Sequence, residues 1–102
     1  MPEPLWKQTE RRVAKFLGGE VTERIGRKGV DVETDWLVIE VKERERLPQW
    51  IDEALQSART LANGSKLGIV VLHEKGSHDD LVVLGLKDFK QWFGGFQRKG
   101  AE

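Results

Sequence analysis

Cysteine is absent from the 102 residues. Neither a disulfide framework nor a thiolate metal site is therefore available, and a cytoplasmic location is the default expectation. No apolar run approaches the roughly 18 residues needed to span a bilayer. The opening MPEPLWKQTE lacks the basic-then-apolar pattern of a signal peptide. Net charge is missing too: 17 basic and 17 acidic residues cancel, so only the distribution of charge can speak for or against nucleic acid. A single methionine and a single asparagine in a chain that is 33% charged suit a thermophile. What is present is 38% apolar residues, enough for one modest core. The expectation is a single domain over 1–96 with a frayed tail at 97–102.

The most informative stretch is Gly29 to Lys42, GVDVETDWLVIEVK. Its alternation predicts a β-hairpin turning at Thr34-Asp35, with Glu33 opposite Trp36, Val32 opposite Leu37 and Asp31 opposite Val38. Side chains repeat with period two along a strand, so 31, 33, 36, 38, 40 and 42 share one face. Val30, Val32, Leu37, Ile39 and Val41 form an apolar surface on the other. Asp31 and Glu40 become diagonal neighbours, with Lys42 one pleat further along. Two like charges so placed repel unless a cation sits between them. Mg²⁺ answers that need, because it takes one or two carboxylates together with water and phosphate oxygens. Lys42 could then orient or activate a water, or stabilise charge on a phosphate. A half-exposed hairpin carrying an Asp–Lys or Glu–Lys ion pair satisfies the same spacing.

Leu5 to Leu17 reads as a helix that begins after Pro4 and stops at Gly18-Gly19. Glu10 lies four residues after Trp6, three before Val13 and seven before Leu17, inside the apolar stripe. An edge glutamate paired with a neighbouring cation is the plainer alternative. Glu20 to Ile25 suits a first strand, and Gly26-Arg27-Lys28-Gly29 a loop. Between positions 11 and 28 six basic residues (Arg11, Arg12, Lys15, Arg24, Arg27, Lys28) face two acidic ones, Glu20 and Glu23. Glycines bracketing Arg27-Lys28 would let the backbone approach a phosphodiester, or would simply form a solvated turn.

After Lys42 the alternating Glu43-Arg44-Glu45-Arg46 should end the strand in solvent. Pro48 opens a second helix with Asn63-Gly64 as its stop, and Ile51, Ala54, Leu55, Ala58, Leu61 and Ala62 form its stripe. LGIVVLH, 67–73, reads as a strand covered on both faces. Strand, helix, strand predicts a right-handed crossover and parallel pairing with the Leu37–Lys42 strand. In the loop EKGSHDD, His78, Asp79 and Asp80 point in different directions and make no metal site. Leu81 to Leu86 should be a last strand, and Lys87 to Phe96 a helix with Phe89, Trp92, Phe93 and Phe96 on one side. The fold expected is thus α/β with a mixed, α+β-like sheet: helix, three antiparallel strands, helix, parallel strand, edge strand, helix.

With Glu10 on the first helix, Asp31 on the second strand and Glu40-Val41-Lys42 on the third, the chain resembles the PD-(D/E)xK nuclease superfamily. Within it the similarity is greatest to the archaeal-type and phage Holliday junction resolvases, whose early helical Glu-Arg is matched by Glu10-Arg11. The resemblance covers residues 5 to about 93. It departs from the pattern at Val30, where proline is common, and in the loop before Asp31, which offers no hydroxyl residue. It implies a restriction-endonuclease-like core, a homodimer, and Mg²⁺- or Mn²⁺-dependent hydrolysis of DNA at four-way junctions. Glu10, Asp31, Glu40 and the Val41 carbonyl would hold the metal, and Lys42 would complete the catalytic set. Arg11, Arg12, Lys15, Arg27, Lys28 and Gln56 would contact DNA. Another repair or restriction-type nuclease, or a catalytically silent DNA-binding module on the same fold, fits the same likeness.

Overall fold

A computed structural model describes residues 4–22 and 31–95. The described residues are mixed α/β, with three helices and two small antiparallel sheets. The elements are α1 (Leu5–Leu17), β1 (Glu20–Val21), β2 (Val32–Glu33), β3 (Val38–Ile39), α2 (Gln49–Ala62), β4 (Val70–Leu72), β5 (Leu81–Val83) and α3 (Leu86–Phe93). They fall into two compact units that divide between Glu45 and Arg46. Glu43 to Arg46 is exposed and outside regular structure, as its alternating charges require. The expected strand residues 23–25, the loop 26–29, Phe96 and the tail 97–102 lie outside the described residues. No helix among the described residues is long and apolar enough to cross a membrane.

In the first unit, α1 starts at Pro4 and ends at Gly18, whose φ of 76° is the left-handed conformation a helix C-terminus favours. The next residue, Gly19, lies so close to β2 that a Cβ there would stand 2.6 Å from the Glu33 carbonyl oxygen. The chain can therefore turn sharply and lay α1 against β1 and β2. Among the described residues Val13, Ala14 and Val32 are the buried apolar side chains, with Val32 fully covered. The three antiparallel strands run in the order β1-β2-β3.

The hairpin register differs from the expected one by two residues: Glu33 pairs with Val38 and Val32 with Ile39. The cause is the turn, which takes four residues, 34–37. The Thr34 N–H donates to the Leu37 carbonyl at 2.9 Å, and the Thr34 hydroxyl oxygen accepts from the N–H groups of Trp36 and Leu37. Trp36 and Leu37 thus belong to the turn and not to a strand. A shift of two preserves the faces, so Val32 and Ile39 still point away from Glu33 and Val38.

The second unit departs further from expectation. β4 pairs antiparallel with β5, Val70 with Val83 and Leu72 with Leu81. Among the described residues the strands form two sheets, without the expected parallel pairing of β4 to β3. The run 67–73 is not covered on both faces either: Val70 and Leu72 are half-buried, whereas Ile69 and Val71 are exposed, Val71 by 55%. Helix α2 packs on β4, and one helix covers one face of a two-stranded ribbon. On α2 the stripe is half-buried except at Leu61, which is 83% exposed at the last turn. Asn63, at φ 54°, caps that helix in the left-handed conformation. On α3, the Phe89 and Phe93 rings pack tilted at 46° with centroids 5.6 Å apart, and Asp88 pairs with Arg59 of α2 at 3.0 Å.

Gly68 fixes the approach of β4 to α2, because a Cβ there would stand 2.8–2.9 Å from backbone atoms of Ala58 and Arg59. Backbone cannot step aside as a flexible side chain can. Gly68→Ala is therefore expected to destabilise the chain by about 1–3 kcal/mol, measured as a lower urea midpoint. An unchanged midpoint would show that the packing of α2 on β4 tolerates a methyl group.

Candidate active site

The sheet of the first unit gathers the hairpin residues. Asp31 does not follow the simple pleat. Its N–H donates to the Ile39 carbonyl at 3.1 Å, although Val32 is the register partner of Ile39. Two residues stand against one, the pattern of a β-bulge, which re-aims the bulged side chain. The Asp31 carboxylate turns to the opposing chain and accepts the Val41 N–H at 2.6 Å. On its other side the Asp31 carbonyl accepts the Thr22 N–H at 3.1 Å, tying the bulge to the end of β1. The expected diagonal relation of Asp31 to Glu40 is thus replaced by a side chain hydrogen-bonded to the residue after Glu40.

Glu40 and Lys42, one pleat apart, form an exposed ion pair at 2.7 Å. The Lys42 hydrogen bond and charge hold the Glu40 carboxyl below the usual range. Lys42 is raised, first by its hydrogen bond to Glu40 and by the Glu40 charge, and more weakly by the Asp31 charge. Both carboxylates therefore act on one ammonium. The pairing that the spacing equally allowed is present, and Asp31, Glu40 and Lys42 are neighbours.

Glu10 lies inside the α1 stripe as its spacing predicts, only 7% exposed between Trp6 and the buried Val13 and Ala14. Among the described residues no three acidic or histidine side chains converge into a group that could hold a metal ion. Glu10 is thus not gathered with Asp31 and Glu40 into one cage. The donor chemistry still fits a hard divalent ion: Mg²⁺ takes one or two carboxylates and fills its shell with water and phosphate oxygens. Asp31, Glu40 and the Val41 carbonyl are oxygens of that type, and Glu40 now holds the Lys42 ammonium.

Two contacts beside this set carry no motif. The Thr9 hydroxyl, adjacent to Glu10, donates to the Glu43 carboxylate, which fastens α1 to the segment leaving β3. Thr22, 1% exposed, is buried beside Asp31. Adjacency in sequence to Glu10 and Lys42 was the only signal for the first, and the second had none.

The basic residues are spread. Arg11 and Lys15, one turn apart on α1, line an open pocket of about 470 Å³ with Gly19, Glu20 and Val21. Arg12 is exposed on the same helix, and Gln56 is exposed on α2 in the second unit. Arg27 and Lys28 lie outside the described residues. His78, Asp79 and Asp80 form no metal group; Asp80 instead pairs with His73 at 2.6 Å. Comparison with protein-family models, with curated proteins and with solved structures finds no match.

The electrostatics give a titration with a definite sign. Replacing Lys42 by Met removes the donor and charge that depress Glu40, so the Glu40 carboxyl should titrate at higher pH, read by carbon NMR. In the native chain the ion pair persists above the ordinary carboxylate range and is lost as pH falls through the depressed Glu40 value. An unmoved Glu40 titration in Lys42→Met would refute the pairing. The bulge gives a second expectation. Asp31→Ala leaves the Val41 N–H without its acceptor and should cost about 1–3 kcal/mol of stability. Asp31→Asn keeps a carbonyl oxygen there and should cost less in the same denaturation experiment.

Proposed function

We propose that the chain is a metal-dependent DNA endonuclease acting on four-way junctions. The observation that supports it is the convergence, on one antiparallel hairpin, of Asp31 and Glu40 on Lys42, beside a helix carrying the buried Glu10. A carboxylate pair gathered on a sheet is worth its repulsion when a cation and a phosphate are to be bound there.

Asp31, Glu40, the Val41 carbonyl and Glu10 would hold Mg²⁺ or Mn²⁺. When bound, the ion polarises the scissile phosphate and lowers the pKa of a water. The bulge aims Asp31, and its hydrogen bond from Val41 N–H pins the backbone whose carbonyl is a donor. Lys42, whose pKa the neighbouring carboxylates raise in the ion-free chain, would stabilise charge on the phosphate oxygens or orient and deprotonate the attacking water. Arg11, Arg12 and Lys15 on α1 would hold flanking phosphates without reading sequence. Two symmetric cuts on a junction need two such sites, which an isologous homodimer supplies.

A catalytically silent DNA-binding module is the second reading. The Glu40–Lys42 ion pair favours it, because each carboxylate of the hairpin already has a partner within the chain.

The deciding experiment offers purified protein a labelled four-way junction, a duplex and a single strand, with Mg²⁺ or with EDTA. Paired nicks on the junction, dependent on Mg²⁺, are expected. Asp31→Asn and Glu40→Ala should abolish them, lowering the rate by about a hundredfold or more, while folding and junction binding persist. Equal cutting of duplex would replace the junction enzyme by another nuclease. Binding without cutting would establish the silent module, and cleavage by Glu40→Ala at the native rate would remove the metal assignment.

A further inference from the structure

The second unit contains a pocket that the nuclease reading does not use. About 240 Å³ in volume, it is lined by Arg59, Lys66, Gly68, Asp88 and Trp92. Its volume is below the roughly 300–1,000 Å³ of sites for drug-sized ligands, so it suits one planar ring system. Trp92, 51% exposed, is the aromatic residue of its lining. Gly68 also lines it, at the point where β4 comes close to the α2 backbone.

The polar groups have separate tasks. Arg59 is locked: its Nε donates to the Asp88 Oδ2 at 3.0 Å, and its Nη2 fills the space a Cβ at Gly85 would need. That pairing neutralises Asp88, which lines the pocket and has a second carboxylate oxygen, Oδ1, as an acceptor. Lys66, exposed at the mouth, is the cation free to move towards an anionic substituent. An aromatic plane, an acceptor at the ring edge and a cation at the rim match a nucleobase with an exocyclic amine, followed by its phosphate.

We propose that this pocket binds one unpaired nucleotide, its base stacked on Trp92, its amino group donating to Asp88 and its phosphate on Lys66. Stacking on aromatic side chains is the dominant affinity of single-strand binding sites, and an aspartate accepts naturally from cytosine N4. A free nucleotide and an unpaired residue of a strand offer the same chemistry.

The test is proton–nitrogen NMR of the full chain in EDTA, titrated with deoxycytidine monophosphate, a short deoxycytidine oligomer, and inorganic phosphate as control. Saturable shifts are expected at the Trp92 indole N–H, identified by its loss in Trp92→Phe, and at the Gly68 amide. Lys66→Gln should weaken binding about threefold or more. Trp92→Leu, followed at Gly68, should weaken it about fivefold or more; if that variant does not fold, Lys66→Gln decides alone. Shifts with the monophosphate make a free nucleotide a sufficient ligand, and shifts with the oligomer alone make the ligand a strand; either supports the proposal. No saturable shift, the same shifts with inorganic phosphate, or undiminished affinity in Lys66→Gln overturns it. Because no divalent ion is present, failure here leaves the nuclease reading intact, and loss of the nuclease reading leaves this site intact.

Discussion

The hydroxyl of Thr34 is the small group on which the hairpin depends. By accepting from two successive backbone N–H groups it closes a four-residue turn and sets the register of β2 against β3. That register brings Ile39 opposite Val32 and leaves Asp31 as the extra residue, so the strand bulges there. The bulge frees the Asp31 side chain from the pleat and lets it reach the Val41 N–H, inside the segment that carries Glu40 and Lys42. A two-residue turn would have left Asp31 in strict alternation, its carboxylate standing off the sheet and its partner across the strand Val38. The position of one carboxylate thus follows from local turn chemistry three residues away.

This explains which parts of the structure were legible in the sequence. α1 and α2 were, because a 3.6-residue stripe, a leading proline and a left-handed stop at Gly18 or Asn63 each have one physical reading. The burial of Glu10 followed from counting along that stripe. The hairpin faces were legible too, since an error of two residues in register leaves every side chain on its own side. The register was not, because Thr34 in a turn and Thr34 ending a strand read alike until its hydroxyl finds its donors. Nor was the bulge, which needs the opposing strand to exist. The LGIVVLH run misled for a related reason: an apolar run states what would be stable if covered, and not whether anything covers it. In the second unit α2 serves Val70 and Leu72 alone, so Ile69 and Val71 remain exposed.

The units also differ in how they use charge. Around Arg59 and Asp88 the ion pair is half-buried, sits against a glycine and joins two helices, so it is a structural fastener. Around Glu40 and Lys42 the pair is exposed and joins residues one pleat apart on a single segment. Such a pair fixes no tertiary contact. It joins two side chains of a single segment and neutralises the Glu40 carboxylate.

That distinction bears on whether the hairpin can perform chemistry. Water screens an exposed ion pair so that it contributes little, and little opposes its exchange for something that binds the carboxylates more strongly. On the proposed reading a divalent ion would compete for Glu40 with a higher charge and with a second carboxylate already aimed by the bulge. Lys42, once displaced, would stay tethered two residues from the carboxylate it had left, within reach of an incoming phosphate. The same ion pair that makes the hairpin look complete without a ligand is therefore also a weakly held cation that a stronger one can replace. Which of these it is depends on Glu10, the one carboxylate of the set that the fold has already taken out of water. In the proposed nuclease Glu10 would become a third anionic donor only by approaching the hairpin, because the described residues do not gather it with Asp31 and Glu40, so occupation of the site and the position of α1 would be coupled.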